Sequence, residues 1–418
     1  MLLNRLLRRS SLLAGTAAVA ATVAMGAAQA EPLKIGIIES LSGSQTSTGR
    51  LFIDAVNFVV DDINANGGFN GEDIIVVGYD NAGGTTGAAD KFKQAVADGV
   101  HIVIQGASSA IAGQVTSDVR RHNLRNPGDE IIYMNFGAEA MELTGDKCHF
   151  YHFRYNGTAP MRVNALFDAM EEAGVLGTKV YSINQNYSWG RDMQAAIVPA
   201  AAAHDVEVVD TVLHEVNRIQ DFAPFVAQIK QADPDTVFTG NWSNDLLLLM
   251  KATGDAGLDV RFATAFLDQV GNIANAGDTA EGHYIAHLGN LQEADKPTIE
   301  AYKAKTGRYP AFVEPQSIDG MNNLRIALQN VDFGGGDVDT EKLALALEDV
   351  KYETSMGPMY MRKEDHQAVH PLVVSRVEKG AEYPVDDTDM GFVTVKVIPG
   401  EDAVYAVQES CEMDRPDE

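Results

Sequence analysis

Leu33-Lys34-Ile35-Gly36-Ile37-Ile38-Glu39-Ser40-Leu41-Ser42-Gly43 is an apolar run of strand length that breaks into small polar residues. Phe52, Val56, Val59, Val60 and Ile63 follow at helical spacing, which predicts a helix over 49–64. Asn66-Gly67-Gly68 stops that helix, and Asn70-Gly71 turns the chain toward another apolar run at 74–79. Strand, loop, amphipathic helix and strand make one β-α-β unit with a right-handed crossover. The unit recurs as helix 85–97, strand 100–105, helix 110–122 and strand 130–135. The alternation then restarts with helix 159–173, strand 179–184, helix 189–204 and strand 207–214. Helix 222–231, strand 236–239, helix 243–254 and strand 260–265 complete it. This pattern predicts an α/β protein of two doubly wound lobes built on parallel sheets. After Gly282 the rhythm changes: helices near 297–305, 317–330 and 340–347 precede strands and turns over 351–405, so the chain revisits the earlier lobes.

The 418 residues carry 32 basic and 59 acidic side chains, a formal charge of −27. Such a chain lacks the basic stripe that nucleic acid or an anionic membrane surface demands, so both are excluded as partners. An apolar content of 45% is too high for disorder and sufficient for a core without metal or disulfide help.

The first thirty residues read as an export signal. Arg5, Arg8 and Arg9 precede a short apolar segment at 12–23, and Ala28-Gln29-Ala30 offers a small-x-small cleavage site before Glu31. The apolar segment is shorter than the roughly 20 residues of a membrane span. Cleavage after Ala30 removes three arginines and no acids, leaving −30 on a periplasmic chain. Cys148 and Cys411 are the two cysteines. In an oxidising compartment they form one disulfide or stay as two buried thiols, and their separation carries no metal signature.

Ligands of doubly wound sheets sit in loops that follow strands and precede helices. The candidate loops are 42–48, 106–110, 137–139, 184–189, 241–244 and 266–268. Chemistry beyond binding is not marked. Gly83-Gly84-Thr85-Thr86-Gly87 lacks the spacing of a nucleotide loop, and Gly106-Ala107-Ser108-Ser109-Ala110 lacks the closing glycine of a nucleophile elbow. His283 and His287, four apart in a strand, are a poor chelate, and His366 and His370 flank a turn. No cofactor, metal site or catalytic residue is implied.

Six segments in order resemble the branched-chain amino-acid (Leu/Ile/Val) type of periplasmic solute-binding protein of ABC importers, over about residues 31–380. They are the opening run at 33–43, the helix end Asp62-Ile63-Asn64-Ala65-Asn66-Gly67-Gly68, Glu142-Leu143-Thr144-Gly145, Asn184-Gln185-Asn186-Tyr187-Ser188-Trp189-Gly190, Asp221-Phe222-Ala223-Pro224-Phe225 and Met356-Gly357-Pro358. The resemblance implies the type I periplasmic binding fold, two lobes closing over one small solute and delivering it to a membrane permease, most simply as a monomer. It places three hinge crossings near 154–157, 286–289 and 368–371. Lobe 1 is then 31–154 plus 287–368, lobe 2 is 155–286 plus 369–405, and 406–418 is a tail. A ligand-sensing receptor of the same fold and a secreted α/β enzyme are the alternatives. The absence of an appended domain favours transport over sensing, and no nucleophile–base constellation supports catalysis.

The same resemblance assigns a ligand set. One of Ser108, Ser109 and Ala110 offers a hydroxyl and backbone N–H groups to a ligand carboxylate. Gly137 and Glu139 fall where a small residue and a Ser or Thr are usual. Tyr187 and Trp242 supply second-lobe aromatics, and Phe266 replaces the acid that grips an α-ammonium, with Asp268 two residues on. Thr48 and Ile318 fall at the remaining aromatic positions. Glu139 with aromatic walls would suit a cationic or amine-bearing ligand. Equally, Glu139 can pair with a helix start, and Trp242 and Phe266 can be simple packing.

Overall fold

The computed structural model describes residues 31–334 and 336–416. The export-signal segment lies outside the described residues.

The first lobe begins with β1 (Lys34–Glu39), α1 (Thr46–Ala65), β2 (Ile75–Asp80), α2 (Thr85–Ala97), β3 (Ile102–Ile104), α3 (Ser109–Arg125), β4 (Ile132–Asn135) and β5 (His152–Arg154). The sheet is parallel, in the order β2-β1-β3-β4-β5. β1 is therefore central and covered on both faces, which is why its apolar run is nearly continuous. Ile35, Ile37 and Ile38 are fully buried. α1 lays Phe52, Val56, Val59 and Val60 on that sheet, burials of about 1.5–3 kcal/mol per side chain.

The second lobe contains α4 (Ala159–Glu172), β6 (Lys179–Gln185), α5 (Ser188–Ala203), β7 (Glu207–His214), α6 (Ala223–Ala232), β8 (Thr236–Thr239), α7 (Ser243–Ala256), β9 (Arg261–Thr264), α8 (Asn272–Ala276) and β10 (Tyr284–His287). The chain then returns to the first lobe with α9 (Lys296–Thr306), α10 (Glu314–Asn330) and α11 (Thr340–Asp349), and α10 packs along α1. β11 (Lys351–Thr354), β12 (Gly357–Met361) and β13 (Ala368–Val369) form a small antiparallel sheet. β14 (Leu372–Lys379) and β15 (Met390–Ile398) rejoin the second lobe, followed by the short α12 (Gly400–Ala403).

The second sheet runs β15-β14-β10-β9-β8-β6-β7. It is parallel from β10 through β7. β14 pairs antiparallel with β10, and β15 antiparallel with β14. The returning chain enters this sheet without a crossover helix, so it runs opposite to its neighbour. The tail after α12 crosses back to the first lobe, where Cys411 is disulfide-bonded to Cys148 with a Cα–Cα distance of 5.4 Å.

Candidate functional site

Strand order places the site. In the first sheet the chain steps from β1 out to β2 and then to β3 on the other side of β1; in the second, β6 is flanked likewise by β7 and β8. These are the switch points at which loops diverge and leave a crevice. Loops from both lobes line one cleft, formed by Thr48, Gly106, Ala107, Ser108, Ser109, Gly137, Glu139, Tyr187, Trp189, Trp242, Phe266, Phe312 and Val313. Ser108, Tyr187 and Trp242 each directly precede a helix (α3, α5 and α7) and make no side-chain cap bond. Three helix N-termini thus end at the cleft, with orphan N–H groups and a partial positive charge there.

Close backbone approach shapes the first-lobe wall. A Cβ on Gly106 would sit 2.5 Å from the Gly137 nitrogen, so glycine lets the two loops touch. Beneath them Glu39, fully buried, accepts from the N–H groups of Gly106 (2.5 Å) and Ala107 (3.0 Å). Burial pushes its carboxyl up to about 8, against those bonds. Ser109 Oγ accepts from the N–H groups of Glu139 and Ala140, both at 3.2 Å. Both its lone pairs are engaged, so its hydroxyl is left with a proton to donate.

The second-lobe wall is aromatic. Trp242 Nε1 donates to Tyr187 Oη at 2.6 Å, and Trp189 Nε1 to the Gly240 carbonyl at 2.7 Å. Phe266 packs against Trp189 at 5.3 Å and meets Phe312 of the first lobe edge-on at 5.6 Å. Phe312 has φ +56°, an uncommon conformation for an aromatic residue.

Glu139 is not a free negative charge. Arg162, on α4 of the second lobe, donates from Nε to both carboxylate oxygens (3.0 and 2.8 Å) and from Nη2 to Oε1 (2.5 Å). The side chains are 1% and 3% exposed. Arg162 also bonds the carbonyls of Ala265 and Ala286 and the Asn156 side chain, and lies over the Phe266 ring. Burial raises the Glu139 carboxyl above its ordinary pKa, and Arg162 opposes that rise. The pair joins the lobes at the floor of the cleft.

Eight of the predicted positions meet in the cleft: Thr48, Ser108, Ser109, Gly137, Glu139, Tyr187, Trp242 and Phe266. Three do not line it. Ala110, one residue into α3, is exposed. Asp268 turns behind Phe266 and faces His287 Nδ1 at 3.3 Å. Ile318 lies one turn into α10 and lines a different cavity. Sequence reasoning missed Phe312 and Val313, which sit in a loop without periodicity. It also missed Arg162, whose place on one helix face with Ala159, Ala165, Leu166 and Ala169 was a readable signal.

Two α/β lobes with a cleft lined from both sides between their switch points define a two-lobed binding protein. A model of the periplasmic binding protein family matches residues 32–382, and the chain belongs to that family. It is 52% identical over 407 residues to the Leu/Ile/Val-binding protein homolog 4 of Brucella abortus, covering 96% of this chain and 98% of that one. The crystal structure of the leucine-, isoleucine-, valine-, threonine- and alanine-binding protein from Brucella ovis, in its closed conformation, is 52% identical. It superposes with a TM-score of 0.87, over 93% of this chain and 100% of that one. A Rhodopseudomonas palustris solute-binding protein in complex with benzoate shares the fold at 20% identity and a TM-score of 0.76, over 91% of this chain and 99% of that one. Among the described residues no helix is long and apolar enough to cross a membrane.

Proposed function

We propose that this protein is the periplasmic receptor of an ABC importer for small aliphatic amino acids, exported by cleavage after Ala30 and acting without catalysis as a monomer. The observation that carries the reading is Ser109: with both lone pairs committed, its hydroxyl serves as a donor to a carboxylate, beside the N-terminus of α3. Aromatic faces of Tyr187, Trp242 and Phe266 oppose it across the cleft, suited to an ammonium group and an apolar side chain. The names of the Brucella relatives support the same ligand class. The lobes close by hinge motion over the solute, and the permease reads the closed state. A cationic ligand loses its support, because the charge that would attract it is already held by Arg162.

Calorimetric titration of ligand-free protein with leucine, valine, alanine, lysine, hexylammonium and benzoate tests this. Saturable binding of the aliphatic amino acids, competed by one another and weakened by Ser109→Ala, is expected. Binding of benzoate or lysine with no response to the aliphatic series would overturn it.

A further inference from the structure

A larger concave space, about 300 Å³, lies outside the interlobe cleft. Its walls are the run leaving β10, the starts of α9 and α10, and the turn between β11 and β12. Leu288, Leu291, Ile299, Pro315, Ile318 and Met356 supply an apolar lining. Asp295, Asp319 and Glu353 supply carboxylates, and no Lys, Arg or His lines the space. Asp295 is engaged in capping α9 through Thr298. Asp319 is hydrogen-bonded by the Tyr352 hydroxyl, Glu353 is exposed, and neither carboxylate has an ion-pair partner among the described residues. Apolar walls with a few fixed polar groups in this volume range are the ordinary make-up of a small-molecule site.

The position also matters. Pro310, Pro315 and Ile318 face this cavity, while Phe312 and Val313 of the same segment face the interlobe cleft. Gly289, on the run between lobes, is packed so closely on Pro315 that a Cβ would come within 2.5 Å of it. One wall therefore serves both spaces, and another is the chain that links the lobes.

The geometry points to a second ligand site here, taking a monocation with a short apolar body, such as an alkylammonium, whose occupancy is coupled to that of the interlobe cleft through the 310–318 segment. The apolar body packs on Leu288, Ile299 and Ile318, and the ammonium group sits between Asp319 and Glu353. Burial holds the Asp319 carboxyl at about 7, a cost that a bound cation would offset.

The test is calorimetric titration of the full protein with n-hexylammonium, with hexanoate as the sign-reversed control, each with and without saturating leucine. Expected are saturable hexylammonium binding, no heat from hexanoate, and a dissociation constant raised roughly ten- to a hundredfold by Asp319→Asn. Ser109→Ala should leave hexylammonium affinity unchanged, which separates this site from the cleft even if leucine itself does not bind. Hexylammonium and leucine should shift each other's affinities by one common factor. Glu353→Gln repeats the test should Asp319→Asn melt early. Absence of hexylammonium binding, equal binding of hexanoate, indifference to both carboxylate substitutions, or simple displacement by leucine would each overturn the site. A common factor of one would overturn the coupling.

Discussion

Replacing Glu139 with glutamine keeps the shape of the cleft floor and removes one charge. In the closed protein Arg162 would retain a carbonyl oxygen to bond but lose its counter-charge, at a position where the two side chains are 1% and 3% exposed. Breaking a buried pair from one side costs about 3–5 kcal/mol, because the surviving charge stays desolvated. Here the pair spans the lobes, so a hinge opening that parts Glu139 from Arg162 would leave Arg162 to solvent and to the Ala265 and Ala286 carbonyls of its own lobe. The penalty therefore falls on closure rather than on folding, and leucine affinity should drop by roughly two to three orders of magnitude. Melting of the ligand-free protein should move far less. Arg162→Met alone should act in the same direction. The double variant Glu139→Gln/Arg162→Met, with neither charge left, should lose less than the sum of the two single losses, by a coupling energy of about 1–3 kcal/mol in the double-mutant cycle. Titration calorimetry on all four proteins, with thermal melts of each without ligand, reads both quantities. Loss of melting temperature that tracks the loss of affinity, or losses that simply add in the double variant, would refute the assignment of the pair to closure.

Ser109→Ala leaves the buried N–H groups of Glu139 and Ala140 without their acceptor and removes a donor to the ligand, so leucine should bind roughly tenfold or more weakly. Ser108→Ala, whose hydroxyl makes no side-chain cap bond to α3, should change affinity little. Glu39→Gln should flatten the pH profile of stability. The carboxyl titrates at its ordinary 4.5 when unfolded and at about 8 when folded. Its contribution is thus complete below about 4.5 and is lost as pH rises through about 8, a change on the order of 4–5 kcal/mol. Urea midpoints at pH 5, 7 and 8.5 should fall in the wild type relative to the variant, and parallel profiles would contradict this. The disulfide closes a chain segment of 263 residues, worth up to roughly 5 kcal/mol by chain entropy. Cys148→Ser/Cys411→Ser should lower the urea midpoint and expose the amides of residues 406–416 to hydrogen exchange first; unchanged protection there would count against the tail's dependence on the bridge.

Much of the fold was legible because the buried strands and their helices announce themselves separately. β1 reads as a run because it is central, and α2 and β7 end where the pattern ends, at Thr85–Ala97 and Glu207–His214. β5 was passed over because three residues carry no period, and α8 because five make little more than a turn. Strands were expected over 351–405, but the antiparallel direction of β14 could not be read. Strand direction depends on which lobe the chain leaves, and that is a property of the whole path. The cleft shows the same division. Loops after strands identified eight lining residues, but the last aromatic was placed at Ile318, six residues past Phe312, because Pro310 and Pro315 bracket a segment with no periodicity.

Glu139 shows how a charge read locally can mislead. Along the sequence it is an acid where a neutral residue was expected, and that favours cations. In three dimensions its partner comes from the other lobe, 23 residues away, and the two charges cancel. What remains is a floor of zero formal charge. On one side are N–H donors, the Ser109 proton and a helix N-terminus; on the other are aromatic faces. That asymmetry suits a molecule with separated charges and no net charge, the proposed amino-acid zwitterion. The strong negative charge of the chain bears on none of this, because at the cleft floor Glu139 has its opposite, Arg162, within hydrogen-bonding distance.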